Sequence, residues 1–260
     1  MDSQYEITSR LLKVTSHKSR LEILNVLQEK EMTAKSLARL LNISEAYMHK
    51  HLGRLWDEGL IKKEGKEFAL TTSGRVFISL LEGMDVVGKF IDLWESHAVD
   101  KIPKELLGDM RVLKNTELII SAPRVLEKFY DPSIVYEKRR MIAIDRIPKS
   151  VANTGIRDGL KELICGLEVE RYTLIGPAPH FESHFKNIKI PSHLEIRSTS
   201  LENIYMGVAV SDEVEACVIF PDDKGTLDWD YAIYGKDPDF ISWAEKNFWY
   251  MYERGEVIGG

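Results

Sequence analysis

The sequence is poor in cysteine, with only Cys165 and Cys217 among its 260 residues. The two thiols lie far apart, each inside an apolar stretch, so the chain offers neither a disulfide framework nor the clustered ligands of a zinc site. The first residues lack a basic segment followed by an apolar one, and no apolar run approaches the roughly 18 residues of a membrane span. We therefore expect a cytoplasmic protein with free thiols, no bound metal or cofactor, and no membrane partner.

Glycine-rich phosphate loops are also missing, because Gly155 and Gly159 do not have the required spacing. Positive charge is in the minority, since 35 Lys and Arg oppose 41 Asp and Glu for a net charge of -6 at pH 7. Residues 1–75 nevertheless carry 13 basic against 10 acidic side chains. Because the acidic remainder would be repelled by phosphate, any nucleic acid is expected to meet the N-terminal end.

Three helices are predicted in the N-terminal quarter, at residues 19–28, 34–41 and 45–58. Ser19 and Glu22 form a capping box for the first helix. Thr33 and Ser44 precede the second and third helices, where their hydroxyl groups can accept a backbone N–H bond from the first turn. The short turn before Ser44 makes the second and third helices a helix-turn-helix pair.

The third helix has one apolar face and one polar face. Met48, Leu52 and Leu55 recur at i, i+4 and i+7 and predict the buried stripe. His51 is expected to pack beside them as a partly buried, hydrogen-bonded core histidine. The opposite face carries Tyr47, His49, Lys50 and Arg54. These cations, hydrogen-bond donors and one ring suit the base edges and phosphates of a major groove.

Residues 61–70 predict two short strands around a glycine-containing turn. Three lysines lie near the tip of this hairpin, namely Lys62, Lys63 and Lys66. Helices followed by a basic hairpin are the layout of a winged helix-turn-helix DNA-binding domain, in which Ser44 and the three lysines would grip phosphate. The alternative is a protein-interaction winged helix whose charged face is merely solvated.

The segments 33–38, 42–44, 51–55 and 59–61 resemble the winged-helix repressors of the ArsR type, over about a quarter of the chain. That resemblance implies that the segment after the turn is the recognition helix, in agreement with the charged face. The metal-sensing cysteines of some members have no counterpart in this sequence.

The stretch 75–96 has a heptad pattern, with two apolar sets spaced seven residues apart. The positions are Phe77, Met84 and Ile91 in one set and Leu80, Val87 and Trp94 in the other. Such a and d positions predict a helix that pairs with the same helix of a second chain. The alternative is an ordinary buried helix within one chain, which the period alone does not distinguish.

From about residue 116 the pattern alternates between strands and helices. We predict strands at 117–120, 140–144, 169–175, 194–197, 204–210 and 216–220, and helices at 123–130, 156–164 and 238–252. Such alternation predicts an α/β sheet flanked by helices, with an antiparallel part at one edge.

The segments 97–103, 207–212 and 243–248, together with the order of the domains, resemble a group of archaeal regulators from methanogens over nearly the whole chain. That resemblance implies a C-terminal domain like one half of a phospholipase D fold, which senses a signal. The expected organisation is a winged helix-turn-helix domain at 1–75, a linker and dimerisation helix at 76–104, and an α/β regulatory domain at 105–260.

An enzymatic alternative starts from His184 and Lys186, which begin the His-x-Lys motif of a phospholipase D site. The position of the motif's aspartate is Pro191, and no second copy occurs, so we expect no catalysis. Six side chains of this region could instead line a pocket for a small anionic or ring-bearing effector: Arg171, Tyr172, Arg197, Tyr205, Trp229 and Trp243. Ordinary packing is the favoured explanation for each of them, so no ligand residue is assigned. The sequence thus predicts a homodimeric transcription regulator that binds double-stranded DNA, with a scaffold protein as a further alternative.

Overall fold

A computed structural model describes residues 2–107, 110–130, 139–145, 171–178, 190, 192–212 and 214–257. The chain divides into two compact units, residues 1–84 and 85–260. The division falls inside the segment 76–104 that was predicted as a connecting helix. The residues of that segment are thereby shared between the two units.

The N-terminal unit combines helices with a three-stranded antiparallel sheet in the order β1-β3-β2. Its elements are α1 (Asp2–Thr15), α2 (Lys18–Glu29), β1 (Met32–Thr33), α3 (Ala34–Leu40), α4 (Glu45–Asp57), β2 (Ile61–Glu64), β3 (Glu67–Leu70) and the part of α5 (Thr72–Lys89) before residue 85. The predicted second and third helices and the hairpin are confirmed within one residue. The strand β1 and the helix α1 were not predicted, although Ile7, Leu11 and Val14 in α1 have helical spacing.

Two of the three predicted helix caps are confirmed. The hydroxyl of Thr33 accepts a bond from the Ser36 N–H at 3.2 Å, and that of Ser44 accepts one from the Tyr47 N–H at 3.3 Å. The capping box at Ser19 is wrong, because α2 begins earlier and His17 is its N-cap. A histidine ring nitrogen can accept a backbone N–H bond as a hydroxyl oxygen does, but the prediction of this cap rested on hydroxyl groups alone.

The core of the N-terminal unit lies between α2, α3, α4 and the sheet. Met48, Leu52 and Leu55 are fully buried, as predicted for the inner stripe of α4. The helix ends in a Schellman-type turn, in which Leu60 N–H donates to the Leu55 carbonyl at 3.0 Å and Gly59 adopts a φ of 69°. This turn directs the chain into β2 and the wing.

The predicted helix at 75–96 is interrupted. It starts earlier, at Thr72, because the hydroxyl of Thr71 accepts the Gly74 N–H bond at 2.9 Å as an N-cap. It stops at Lys89, and Phe90 takes non-helical angles (φ -118°, ψ 28°) before a second helix begins. Phe90 is buried in the core of the C-terminal unit, a packing demand that the heptad pattern does not contain.

The C-terminal unit contains a mixed eight-stranded sheet in the order β11-β7-β6-β5-β8-β9-β10-β4. Its elements are α6 (Ile91–Ser96), a 3-10 turn (Val99–Lys101), α7 (Lys104–Leu107), a 3-10 turn (Met110–Leu113), β4 (Glu117–Ile120), α8 (Ala122–Tyr130), β5 (Arg139–Ala143), β6 (Arg171–Pro177), β7 (Leu194–Thr199), a 3-10 turn (Leu201–Asn203), β8 (Gly207–Ser211), β9 (Glu215–Ile219), β10 (Tyr231–Gly235), α9 (Pro238–Tyr252) and β11 (Glu256–Val257). Strands β5, β6 and β7 are parallel, and the other pairs are antiparallel.

This topology confirms a sheet with parallel and antiparallel parts, and it corrects several predicted elements. The strand expected at 204–210 begins only at Gly207, because a 3-10 turn precedes it. Strands β10 and β11 were not predicted. The helix expected at 156–164 and Cys165 lie outside the described residues, whereas Cys217 is buried.

Each face of the sheet has its own core. One core contains α9, whose Phe240, Ala244, Phe248 and Met251 are buried at helical spacing against the β8 side chains Val208 and Val210. The intervening Ala209 belongs to the core on the opposite face. The alternation along β8 therefore places apolar side chains on both sides, as expected for a strand that is covered on both faces.

Candidate nucleic-acid interface

The polar face of α4 is open to solvent in the N-terminal unit. His49, Lys50 and Arg54 are exposed, as the sequence predicted. Neither Lys50 nor Arg54 forms an ion pair with a carboxylate among the described residues. Their cationic groups are therefore available to an external anion such as a phosphate.

A fourth predicted residue, Tyr47, has an intramolecular partner. Its side chain is 39% exposed, and its hydroxyl oxygen lies 3.0 Å from Nε2 of His17 at the start of α2. Nδ1 of the same imidazole accepts a bond from the Ser19 N–H at 3.2 Å. His17 therefore joins α2 to α4, a link that the sequence analysis missed because the two residues lie 30 positions apart.

His51 lies directly beneath this pair. Its ring centroid is 4.2 Å from that of Tyr47, edge to face, and 4.6 Å from that of His17. The predicted hydrogen-bonded core histidine is wrong in one respect, because His51 is 3% exposed but neither ring nitrogen has a hydrogen-bond partner. Burial lowers the pKa of His51, and the neighbouring charges of His17, Arg20, Arg54 and Lys50 lower it further.

Ser44 and the three lysines of the hairpin differ in how accessible they are to a phosphate group. Ser44 is exposed, but its hydroxyl already caps α4. Lys62 pairs with Glu64, and Lys63 lies over the Phe68 ring at 5.8 Å from its centroid. Lys66 is exposed, and in the described part of the chain it has no ion-pair partner.

The predicted dimerisation positions fall into two environments. Leu80, Met84, Val87 and Ile91 are all exposed, with Leu80 the most open at 66%. Phe77 is half-buried against the N-terminal core. Trp94 packs within its own chain, with ring centroids 5.8 Å from Phe90 and 5.6 Å from Phe220.

The helix α1 adds to the apolar surface of the N-terminal unit. Leu11 and Val14 pack on the core, whereas Ile7 and Leu12 on the same helix are exposed. A groove of about 440 Å³ lies between α1 and α5, and its lining combines apolar residues such as Ile7, Val76 and Leu80 with the ion pair of Arg10 and Glu58.

The C-terminal unit contains a cleft of about 540 Å³ beside one end of the sheet. Its lining consists of Lys101, Ser200, Leu201, Glu202, Ile204, Tyr205, Lys224 and Gly225. Tyr205 is buried and donates its hydroxyl bond to Asn247 at 3.2 Å, so it presents its ring rather than a free hydroxyl. Gly225 has a φ of 82°, and a Cβ atom there would overlap the Lys101 ammonium.

The other aromatic and basic candidates of this unit are engaged elsewhere or not described. Trp243 is buried and donates to the Leu106 carbonyl at 2.7 Å, and the Arg197 guanidinium lies 4.3 Å from the Tyr252 ring centroid. Trp229 is buried in the second core. The side chains of Arg171 and Tyr172, and all of His184, Lys186, Gly155, Gly159 and Pro191, lie outside the described residues.

The described residues contain neither a cluster of metal ligands nor a helix able to cross a membrane. No three His, Cys, Asp or Glu side chains there are grouped so that they could hold a metal ion. None of the helices there has the length and apolar character needed to cross a membrane.

Residues 17–62 match the family of winged helix-turn-helix DNA-binding domains. This range runs from the cap of α2 through α4 to β2. Together with the order of helices and the hairpin that follows, the match shows that the N-terminal unit is a winged helix-turn-helix DNA-binding domain.

Solved structures with some similarity include HlyU from Vibrio cholerae, which is 28% identical over 32% of this chain and 97% of that chain, with a TM-score of 0.29. HlyU from Vibrio vulnificus, a transcriptional regulator, is 27% identical over 32% and 93%, with a TM-score of 0.28. The archaeal chromatin protein TrmBL2 is 13% identical over 87% and 88%, with a TM-score of 0.37. Among curated proteins, no relative matches the chain.

Proposed function

We propose that this chain is a homodimeric, sequence-specific transcription regulator of the cytoplasm, with no catalytic activity. The observation that carries the proposal is the exposed pair Lys50 and Arg54 on the recognition helix, without carboxylate partners among the described residues. Long cations in this position can reach base edges and phosphates when the helix enters a major groove. The relationship to ArsR-type repressors and to the regulators of methanogens, with a C-terminal unit like one half of a phospholipase D fold, is part of the proposal.

Dimerisation is supported by the exposed apolar stripe on α5. Leu80, Met84 and Val87 recur at spacings of four and three, which places them on one side of the helix, and all three are exposed. The neighbouring groove along α1 extends the same apolar surface within the N-terminal unit. We propose that a second copy of the chain covers this apolar surface. Two winged helices related by a twofold axis can read half-sites about 34 Å apart, which doubles the small interface that one of them makes with DNA.

A small organic anion is the proposed signal, and the cleft in the C-terminal unit is the proposed entry point. Lys101 and Lys224 both line it, and neither forms an ion pair among the described residues. The turn that carries Lys224 is held in place, because Oδ1 of Asp222 accepts the backbone N–H bonds of Lys224 and Thr226 at 3.0 and 2.9 Å. An anion with an apolar part would meet two ammonium groups and the Tyr205 ring.

Binding to DNA is tested with a duplex selected by the wild-type protein from a random-sequence pool. Lys50→Ala with Arg54→Ala is expected to abolish sequence selectivity and to reduce the slope of log K against log salt by about 2 for each recognition helix that is engaged. Lys30→Ala with Arg75→Ala is the matched control, since it removes two exposed cations from other elements of the same unit. Unchanged selectivity in the first variant would show that α4 does not read the DNA.

A further inference from the structure

The bonding of His17 determines which of its two ring nitrogens carries a proton. Nδ1 accepts the Ser19 N–H bond at 3.2 Å, so in the neutral ring Nδ1 has no hydrogen and Nε2 has one. The contact from Nε2 to the hydroxyl oxygen of Tyr47 at 3.0 Å then has His17 as the donor and Tyr47 as the acceptor.

This polarity leaves the phenolic hydrogen of Tyr47 pointing away from His17. A hydroxyl group that accepts one bond still has its own O–H to donate. Because Tyr47 is partly exposed on α4, this O–H can donate to a partner outside the protein. The opposite tautomer of His17 would consume the phenolic hydrogen and present only an oxygen lone pair.

We propose that His17 is a positioning residue that makes Tyr47 a hydrogen-bond donor to a phosphate oxygen of the DNA backbone. The inference rests on the proposed function, and it changes the role of Tyr47 from a reader of bases to a phosphate contact. His17 does not touch the DNA itself and acts through the Tyr47 hydroxyl.

The location of Tyr47 favours a phosphate over a base as the acceptor. Its backbone N–H is bonded to the Ser44 cap, so Tyr47 lies in the first turn of α4, where the helix dipole favours anions. Its ring leans on the start of α2, since the Tyr47 and His17 centroids are 6.1 Å apart. The exposed charge of Lys50, one turn further along α4, adds to the attraction of an anionic oxygen.

The ring packing restricts the direction in which the phenol can point. His51 supports the Tyr47 ring edge to face from below, at 4.2 Å between centroids. His51 also contacts the His17 ring, so that three rings from α2 and α4 form one cluster. A donor that is held in this way loses little side-chain freedom when it binds, which increases its contribution to affinity.

The test uses two conservative variants and their combination in the full chain. Tyr47→Phe keeps the ring and removes the hydroxyl. His17→Asn keeps an acceptor for the Ser19 N–H, because asparagine is a good N-cap, but its side chain is too short to reach Tyr47. Affinity for the selected duplex is measured by fluorescence anisotropy, and circular dichroism confirms that each variant is folded.

Tyr47→Phe is expected to weaken binding on the order of 3- to 10-fold for each recognition helix that is engaged, equally on selected and on scrambled duplexes. His17→Asn should weaken binding in the wild-type background and have no further effect in the Tyr47→Phe background. In a scan of methylphosphonate substitutions placed at the same position of both half-sites, one position should remove the difference between Tyr47→Phe and wild type.

Several results would overturn the proposal. If Tyr47→Phe bound DNA with wild-type affinity, the proposed phosphate contact would be disproved. Additive losses in the double variant would show that His17 does not act through Tyr47. A loss that depends on one base pair, and on no phosphate, would make Tyr47 a base reader. If Lys50 and Arg54 prove essential while Tyr47→Phe binds normally, only this inference fails; if the wild type binds no duplex at all, the proposed function fails with it.

Discussion

Gly74, in the first turn of α5, packs against the carbonyl oxygen of Leu60 so closely that a Cβ atom at this position would overlap it. The Leu60 carbonyl cannot easily move away, because it also accepts the Thr71 N–H bond at 3.1 Å. The end of the recognition helix, the wing and the start of α5 therefore meet at one close backbone contact.

Gly74→Ala is expected to lower the free energy of unfolding by about 2 to 3 kcal/mol, because the added methyl group must displace backbone rather than a flexible side chain. Urea unfolding of the full chain, followed by circular dichroism, measures the change. A variant as stable as the wild type would show that the α5 junction is not tightly packed.

Gly53→Ala provides the matched control within the same unit. A Cβ atom at Gly53, in the middle of α4, would have no neighbour within 4 Å. Alanine is favoured over glycine in a helix interior, so this change should raise the free energy of unfolding by about 0.5 to 1 kcal/mol. Opposite changes in the free energy of unfolding for Gly74→Ala and Gly53→Ala would distinguish a steric clash at Gly74 from a general effect of replacing glycine by alanine.

Ser44 allows the cap of the recognition helix to be separated from its role toward DNA. Ser44→Ala should cost about 1 kcal/mol of stability, because the Tyr47 N–H loses its acceptor. Ser44→Asp should keep the stability but weaken DNA binding, since a carboxylate at this exposed position repels phosphate. Thermal unfolding and anisotropy titrations check the two halves, and unchanged binding by Ser44→Asp would place phosphate elsewhere.

The proposed dimer is tested by charge at the centre of the apolar stripe. Leu80→Glu with Met84→Glu should convert a dimer into a monomer in sedimentation analysis, because two buried carboxylates without partners oppose association. Leu201→Glu, at an exposed leucine of the C-terminal unit, is the control and should leave the mass unchanged. A wild-type monomer at micromolar concentration would contradict the dimer directly.

The lowered pKa of His51 predicts a pH dependence of stability. Below the ordinary histidine value of 6.5, the unfolded chain takes up a proton at His51 that the native chain resists. The stability contributed by neutral His51 is therefore complete above pH 6.5 and is lost as the pH falls toward its lower folded value. The urea midpoint should fall less between pH 7.5 and 5.5 in His51→Phe than in the wild type, and equal falls would show that His51 does not control this range.

The effector cleft gives a further test with defined probes. Benzoate and inorganic phosphate are titrated separately against the full chain, and binding is followed by calorimetry. We expect benzoate to bind, and Lys101→Gln with Lys224→Gln to weaken it on the order of 10-fold or more, because each ammonium group contributes a charge-assisted bond. Lys246→Gln, on α9 and outside the cleft lining, is the control. If phosphate binds and benzoate does not, the ligand needs no apolar part. If all variants bind benzoate with the same affinity, the cleft is not the binding site.

Local patterns were sufficient for much of the N-terminal unit. The stripe Met48, Leu52 and Leu55 and the caps Thr33 and Ser44 depend on residues close in sequence, and each was confirmed. The cap of α2 was wrong, because the hydroxyl rule did not include an imidazole acceptor at His17. Strand β10 was missed although Tyr231 to Gly235 is apolar. Turn residues flank this short segment, and its strand forms by pairing with β4 and β9.

The sequence by itself determined the helix-turn-helix, the basic hairpin and the alternation of strands and helices, because hydrophobic period and capping act over a few residues. Only the tertiary structure decided which polar groups are free and which are engaged. It bound Tyr47 to His17 and broke the long helix at Phe90 to fill a distant core. These contacts depend on distances in space between residues that are far apart along the chain, and no local pattern records them.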